Sequence, residues 1–153
     1  MASKKIEVEK QLIKAHEELN RNIGELKLTI MERVSAQDFS DWRIQFIGRL
    51  QDLRQKLSKH FEFEEQGGFM AEVTDAAPQL LNQVKELEIE HKRILSNLDG
   101  VLIDFKKSDV KDKLELQDIF NRISGIMTTL HQHEITENEL MQSAFYREHG
   151  SPD

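Results

Sequence analysis

Apolar residues recur every three to four positions in four long segments of the chain, which is the spacing of one face of an α-helix. This pattern predicts helices over about residues 4–34, 39–74, 78–106 and 110–147. Because short connections between long helices favour antiparallel neighbours, we predict an all-α, up-down-up-down antiparallel four-helix bundle, with residues 1–153 forming one domain. The apolar positions are Leu12, Leu19, Ile23, Leu26 and Ile30; Phe46, Leu50, Leu53 and Leu57; Leu80, Val84, Leu87, Ile94, Leu98 and Phe105; and Leu116, Ile119, Ile123, Ile126, Leu130, Leu140 and Ala144.

The second predicted helix contains one point where it can end early, at Gly67 and Gly68. Glycine is common just after the last residue of a helix. However, Phe69, Met70 and Val73 continue the apolar face beyond the two glycines, and a proline follows only a few residues later. We therefore expect helix 2 to continue to about residue 74.

Composition and charge exclude several classes of function. The net charge of −7 and the pI near 5.4 argue against nucleic-acid binding, which depends on clustered Lys and Arg. Without cysteine, the chain forms no disulfide, thiolate metal site or iron–sulfur cluster. Its first residues lack the pattern of a secretory signal, and no apolar run approaches the ~20 residues of a membrane span. We predict a cytoplasmic protein without a membrane partner, whose chemistry depends on histidine and carboxylate groups.

Four of the six histidines fall on the apolar faces, one in each predicted helix. Only about two positions in seven face such a seam, so this placement has a chance probability on the order of one percent. Helices 2 and 4 each add a glutamate four residues later, on the same helix face. An inward carboxylate needs a partner, and a metal cation stabilises its charge while using the imidazole lone pairs. The candidate metal ligands are therefore His16, His60, Glu64, His91, His133 and Glu137.

Other polar residues near these positions are weaker candidates. His131 competes with His133 because it precedes Glu134 by three residues, but it lies roughly 200° around the helix from His133. We interpret His131 as a surface residue or an outer neighbour of the site, and His149 as part of a frayed terminus. The adjacent glutamates are expected to be mostly solvated, although one of them can orient a histidine. They are Glu17, Glu62, Glu65, Glu88 and Glu90.

Four stretches of the chain resemble the hemerythrin-like, or HHE cation-binding, domain family, and the resemblance extends over nearly the whole length. They are residues 15–19 (Ala-His-Glu-Glu-Leu), 60–65 (His-Phe-Glu-Phe-Glu-Glu), 90–91 (Glu-His) and 133–137 (His-Glu-Ile-Thr-Glu). The resemblance implies a non-heme diiron centre with an oxo or hydroxo bridge. Manganese is the alternative metal, because mixed nitrogen and oxygen donors suit either ion better than zinc.

The resemblance also implies how the ligands divide between the two metal ions. The sequence differs from the oxygen-carrying members of the family at two points. Leu95 stands where they have a second histidine in helix 3, and helix 4 has His-x-x-x-Glu in place of His-x-x-x-x-Asp. With fewer protein donors, each iron keeps open positions for small ligands. In the implied arrangement, His16 and His60 bind one iron, His91 and His133 bind the other, and Glu64 and Glu137 bridge them.

Three functions are compatible with these features. The first is a diiron protein that binds or senses oxygen, iron, nitric oxide or peroxide. The second is a diiron enzyme with peroxidase-like, catalase-like or oxygen-activating activity. The third is a metal-free helical interaction domain, in which the six polar residues form a buried hydrogen-bonded network.

Overall fold

The computed structural model describes residues 2–32, 39–107 and 113–146 of the chain. Within these ranges nearly every residue is helical and no strand occurs, which confirms the all-α prediction. A short 3-10 turn precedes the fourth α-helix. The elements are α1 (Ala2–Glu32), α2 (Phe39–Gln66), α3 (Phe69–Ala76), the 3-10 turn (Pro78–Leu80), α4 (Leu81–Lys107) and α5 (Lys113–Phe145).

The four long helices contact one another in a ring. α1 contacts α2, α2 contacts α4, α4 contacts α5, and α5 contacts α1. The apolar seams face the interior of this ring, which is the burial that stabilises amphipathic helices. Among the described side chains, the predicted seam positions are buried, except for Ile23 and Leu80, which are half-buried. For Ile30 and Leu116 the structure describes the helical backbone but not the side chain.

The predicted length of helix 2 is wrong, because the helix breaks at two glycines. α2 ends before Gly67, and α3 begins after Gly68. Gly68 has a φ of 120°, a conformation that other residues rarely adopt. At Gly67, a Cβ atom would lie 2.5 Å from the carbonyl oxygen of Phe63. The apolar face continues past the break, since Phe69 is fully buried and α3 contacts α1, α4 and α5.

The other predicted helix limits agree with the structure to within a few residues. The 3-10 turn occupies the first residues of the predicted third helix, so α4 begins slightly later than expected. Some predicted positions lie outside the described residues. They are residues 33–34, 110–112 and 147, which the sequence places in helices, and His149. No described helix is long and apolar enough to cross a membrane.

Two apolar clusters fill the interior on either side of the predicted ligand positions. On α1, for example, Leu12 belongs to one cluster and Leu19 to the other, with His16 between them in sequence. The same alternation occurs on α4 and α5, so the fold brings the polar positions to one level. The large core cluster contains Leu19, Leu26, Trp42, Phe46, Leu50, Leu53, Leu57, Phe61, Ile94, Leu98, Val101, Leu102, Phe105, Ile119, Ile123, Ile126 and Leu130. The small core cluster contains Val8, Leu12, Phe69, Met70, Val73, Ala77, Val84, Leu87, Leu140, Met141 and Ala144.

Candidate metal centre

All six predicted ligands are buried between the two core clusters. Each long helix supplies at least one of them, because the seam positions of all four helices face the same interior. None is more than 6% exposed, and both glutamates are fully buried. These six residues, which we call the His–Glu layer, are His16 on α1, His60 and Glu64 on α2, His91 on α4, and His133 and Glu137 on α5.

The His–Glu layer divides into two overlapping groups, each able to hold a metal ion. In each group, one ligand atom from every residue lies within 4.8 Å of the others. One group contains His16 and His60, the other contains His91 and His133, and Glu64 and Glu137 belong to both. The histidines fall into the same pairs that the family resemblance implies. Their role as metal ligands stays a prediction.

Two glutamates outside the layer hold two of its histidines. His91 Nδ1 donates to Glu65 Oε2 at 2.8 Å, and His133 Nδ1 donates to Glu90 Oε1 at 2.6 Å. We assign the ring protons to Nδ1 because an ionised carboxylate only accepts hydrogen bonds. The Nε2 atom of each neutral ring is then a lone-pair donor facing the layer.

Acceptor atoms therefore converge at the centre of the layer. The Nε2 atoms of His91 and His133 lie 2.9 Å apart. Glu64 Oε1 lies 3.1 Å from His91 Nε2 and 3.4 Å from His60 Nε2. These distances are within ion-pair range, but neither Glu64 oxygen has an aligned hydrogen-bond partner among the described residues, and neither does Glu137 Oε2. Buried acceptors without donors are costly, and a cation satisfies them together.

Burial shifts the pKa values in the layer toward neutral forms. Desolvation, reinforced by the neighbouring His16 and His133, lowers the pKa of His60 to about 3. Desolvation also lowers the pKa of His91 and of His133, although the hydrogen bond to Glu90 partly opposes this for His133. For Glu137, desolvation raises the pKa to about 7, despite the opposing hydrogen bond from His16. Neutral imidazole is the form that binds metal ions.

The glutamates around the layer behave less uniformly than the sequence predicts. Glu17 and Glu62 are exposed, as expected. Glu65 and Glu90 are instead each only 30% exposed at the side chain and hydrogen-bonded to histidines, so two residues orient histidines where one was expected. The signal in the sequence was their position directly beside Glu64 and His91, which turns them toward the next helix.

His131 and Glu134 have opposite environments in the structure. His131 is exposed, which agrees with the prediction that His133, rather than His131, faces the interior. Glu134 is only 6% exposed, and its Oε1 has no hydrogen-bond partner among the described residues. Desolvation raises its pKa, while the nearby His16 and a hydrogen bond from Asn20 act against this. The burial of Glu134 was not predicted from the sequence, although Glu134 follows the seam residue Leu130 by one helical turn.

Phe61 packs against the histidine rings of the layer. Its ring stacks on His91, with centroids 4.0 Å apart and planes 10° apart. It also contacts His133 edge to face, with centroids 5.7 Å apart. Besides packing in the core, Phe61 thereby fixes the plane of the His91 ring.

A cavity of about 510 Å³ between α1 and α2 reaches the layer at His60. Ala15, Leu19 and Phe63 form part of its apolar lining, and Lys56 is among its polar residues. Small molecules that enter this cavity contact the same histidine whose two ring nitrogens lack hydrogen-bond partners among the described residues.

No family model, curated protein or solved structure matches the chain. The site is therefore characterised by its own geometry. Its donor set of imidazole nitrogens and carboxylate oxygens fits a metal cation, because several of these atoms have no hydrogen-bond partner within the described part of the chain. The all-helical fold and the buried His–Glu layer are together compatible with a metal-binding helical protein.

Proposed function

We propose that this chain is a hemerythrin-like protein that holds two iron ions in the His–Glu layer and binds or senses oxygen, peroxide or nitric oxide there. The observation that carries the proposal is the convergence of buried acceptor atoms in the layer. The Glu64 oxygens have no hydrogen-bond partner among the described residues, and the Nε2 atoms of His91 and His133, 2.9 Å apart, carry no proton when Nδ1 of each ring donates to a carboxylate. A hydrogen-bonded, metal-free network would need donors at these positions. The chemistry of the donor set thus favours cations over a purely structural role.

Each metal position would have two histidine nitrogens and a share of two carboxylates. His16 and His60 would serve one position, and His91 and His133 the other. Glu64 and Glu137 would be shared between them. About four protein donors leave positions free in the six-coordinate geometry that iron and manganese favour, whereas zinc usually closes at four. When bound, two ferrous ions supply electrons and open coordination positions for small ligands. The protein residues orient the ions and exclude bulk water.

We also propose an up-down-up-down antiparallel arrangement of the four long helices. Contacts between α2 and α4 support it, because Arg43 donates to the carbonyl oxygen of Phe105 while Glu65, further along α2, pairs with His91, earlier along α4. The contacts between the other neighbouring helices run in the same opposite order. They are Trp42–Thr29 and Lys56–Asn22 for α1 and α2, Arg122–Asp104 and His133–Glu90 for α4 and α5, and Glu137–His16 with Tyr146–Glu9 for α1 and the end of the chain that contains α5.

A diiron enzyme is the second candidate function, and the cavity beside His60 favours it. A space of about 510 Å³ exceeds what a diatomic ligand needs and admits peroxide or a small organic substrate. The two functions differ in what peroxide does to the iron-loaded protein. Repeated consumption of peroxide with an unchanged final spectrum indicates catalysis, whereas a stable spectral change after a single equivalent indicates binding.

The experiment that tests the proposal measures iron bound per chain after anaerobic loading with Fe²⁺. We expect about two ions in the wild-type chain and at least one fewer in His133→Ala, because that replacement removes a donor from one group. His131→Ala is the matched control, since this exposed histidine lies two residues away. Equal iron content in wild type and His133→Ala would contradict the ligand assignment. A wild-type chain that stays folded and binds no iron would support the metal-free interaction domain instead.

A further inference from the structure

The two halves of the His–Glu layer differ in how their histidines are held. We propose that Glu65 and Glu90 are positioning residues that make the His91–His133 position the tighter of the two metal sites. This inference rests on the proposed two-metal function. It concerns residues outside the ligand set, which act through the histidines that they orient.

Each positioning carboxylate comes from a different helix than the histidine it holds. Glu65 on α2 accepts from His91 on α4 at 2.8 Å, and Glu90 on α4 accepts from His133 on α5 at 2.6 Å. The two hydrogen bonds therefore fix the rings relative to neighbouring helices and link three helices in sequence. Ring orientation at this position is set before any metal arrives.

The hydrogen bonds also direct the lone pairs of both rings. With the protons held on Nδ1, the Nε2 atoms of His91 and His133 point to a common centre, 2.9 Å apart. A carboxylate acceptor on Nδ1 raises the basicity of the ring, and the loss of such an acceptor typically weakens metal binding by about 10–100-fold. Stacking of Phe61 on His91 restricts that ring further.

His60 in the other half has no comparable support. Neither of its ring nitrogens has a hydrogen-bond partner among the described residues. Its ring meets His16 edge to face, with centroids 5.1 Å apart, and it borders the cavity between α1 and α2. A metal ion at this position must therefore order a donor that is less constrained, at an entropic cost.

Calorimetric titration of the metal-free full chain with Fe²⁺, without oxygen, tests the inference. We expect two binding steps whose affinities differ by at least about 10-fold, and Glu65→Gln or Glu90→Gln should weaken the tighter step by about 10–100-fold. Glutamine keeps an acceptor oxygen but loses the charge, whereas alanine loses both. Alanine at either position should therefore weaken the tighter step further. Glu62→Gln and Glu86→Gln are matched controls, because both residues are exposed neighbours on the same helices, and they should leave both steps unchanged.

Nitrogen-15 NMR of the histidine rings in the metal-free protein provides a second measurement. We expect His91 and His133 to carry their protons on Nδ1 in the wild-type chain. Protons on Nε2, two equal binding steps, or a tighter step that Glu65→Gln and Glu90→Gln both leave unchanged would overturn the inference while the two-metal function stands. A wild-type chain that binds no Fe²⁺ would overturn the proposed function, and the inference with it.

Discussion

The large core cluster and the His–Glu layer occupy the same helical seams, but they differ in whether their polar side-chain atoms have hydrogen-bond partners. In the large core cluster, Trp42 stacks on Phe46 with centroids 5.1 Å apart, and its indole nitrogen donates to the carbonyl oxygen of Thr29 at 2.7 Å. In the layer, both oxygens of Glu64 and both ring nitrogens of His60 lack hydrogen-bond partners among the described residues. The cluster is complete as a folded core, whereas the layer contains buried polar atoms that a bound cation can satisfy.

The helical pattern thus decides where a side chain lies, and the chemistry of the side chain decides which partners it requires. Seam positions in both regions are buried to a similar degree. The contribution of the large core cluster to the free energy of unfolding should therefore be independent of metal, whereas the contribution of the His–Glu layer should depend on metal.

Replacing Phe46 should have the largest effect on stability. Phe46→Ala removes a fully buried ring that contacts Trp42, Phe105 and Phe120, and should lower the free energy of unfolding by about 3–5 kcal/mol. Urea unfolding should give the same loss with and without Fe²⁺. Ile44→Ala, at an exposed residue on the same helix, is the control and should change stability by no more than about 0.5 kcal/mol. A loss that depends on metal would mean that the two regions are not independent.

Loading with Fe²⁺ should have the next largest effect. Free metal at about 100 times its dissociation constant should raise the free energy of unfolding by about 2.7 kcal/mol, because only the folded chain assembles the site. His133→Ala should lose much of this gain, since the replacement removes a donor from the tighter of the two positions. His131→Ala should keep it. Equal stabilisation of His133→Ala and wild type in urea titrations would show that the gain arises elsewhere.

Glu64→Gln should change stability in opposite directions with and without metal. In the metal-free protein the amide nitrogen can donate to the bare Nε2 atom of His91, which lies 3.1 Å from Glu64 Oε1, so we expect a gain of about 1 kcal/mol. In the Fe²⁺-loaded protein the same replacement removes a shared charged ligand and should reduce stability. A metal-free Glu64→Gln protein less stable than wild type would contradict the deficit of donors in the layer.

Arg54→Ala should have the smallest effect. Arg54 pairs with Asp99 through two hydrogen bonds of 2.9 and 3.1 Å, but both side chains are partly exposed to solvent. Such pairs contribute about 0.2–1 kcal/mol, so the replacement should lower the free energy of unfolding by an amount in that range, with or without Fe²⁺. A much larger loss would show that a satisfied surface pair matters as much as the interior, and would weaken the contrast.

Periodicity allowed most of the fold to be predicted from the sequence. Apolar residues at helical spacing located the four long helices, and the histidines on the same spacing identified the residues of the His–Glu layer. The exclusion of His131 followed from the same geometry, because its angular position places it on the opposite face from His133.

Features that depend on contacts between helices were less predictable. The apolar face continues through Gly67 and Gly68, so periodicity alone could not show that the backbone breaks there. The hydrogen bonds of Glu65 and Glu90 depend on which helix lies beside each carboxylate, and helix neighbours follow from packing rather than from local pattern. The burial of Glu134 has the same origin.

Anomalous X-ray diffraction from crystals of the Fe²⁺-loaded chain tests the central claim most directly, because it locates the metal ions themselves. The account predicts two iron peaks within the His–Glu layer, one beside His16 and His60 and the other beside His91 and His133, with Glu64 and Glu137 contacting both. Iron peaks confined to surface carboxylates, with the layer free of metal and the chain folded, would contradict it.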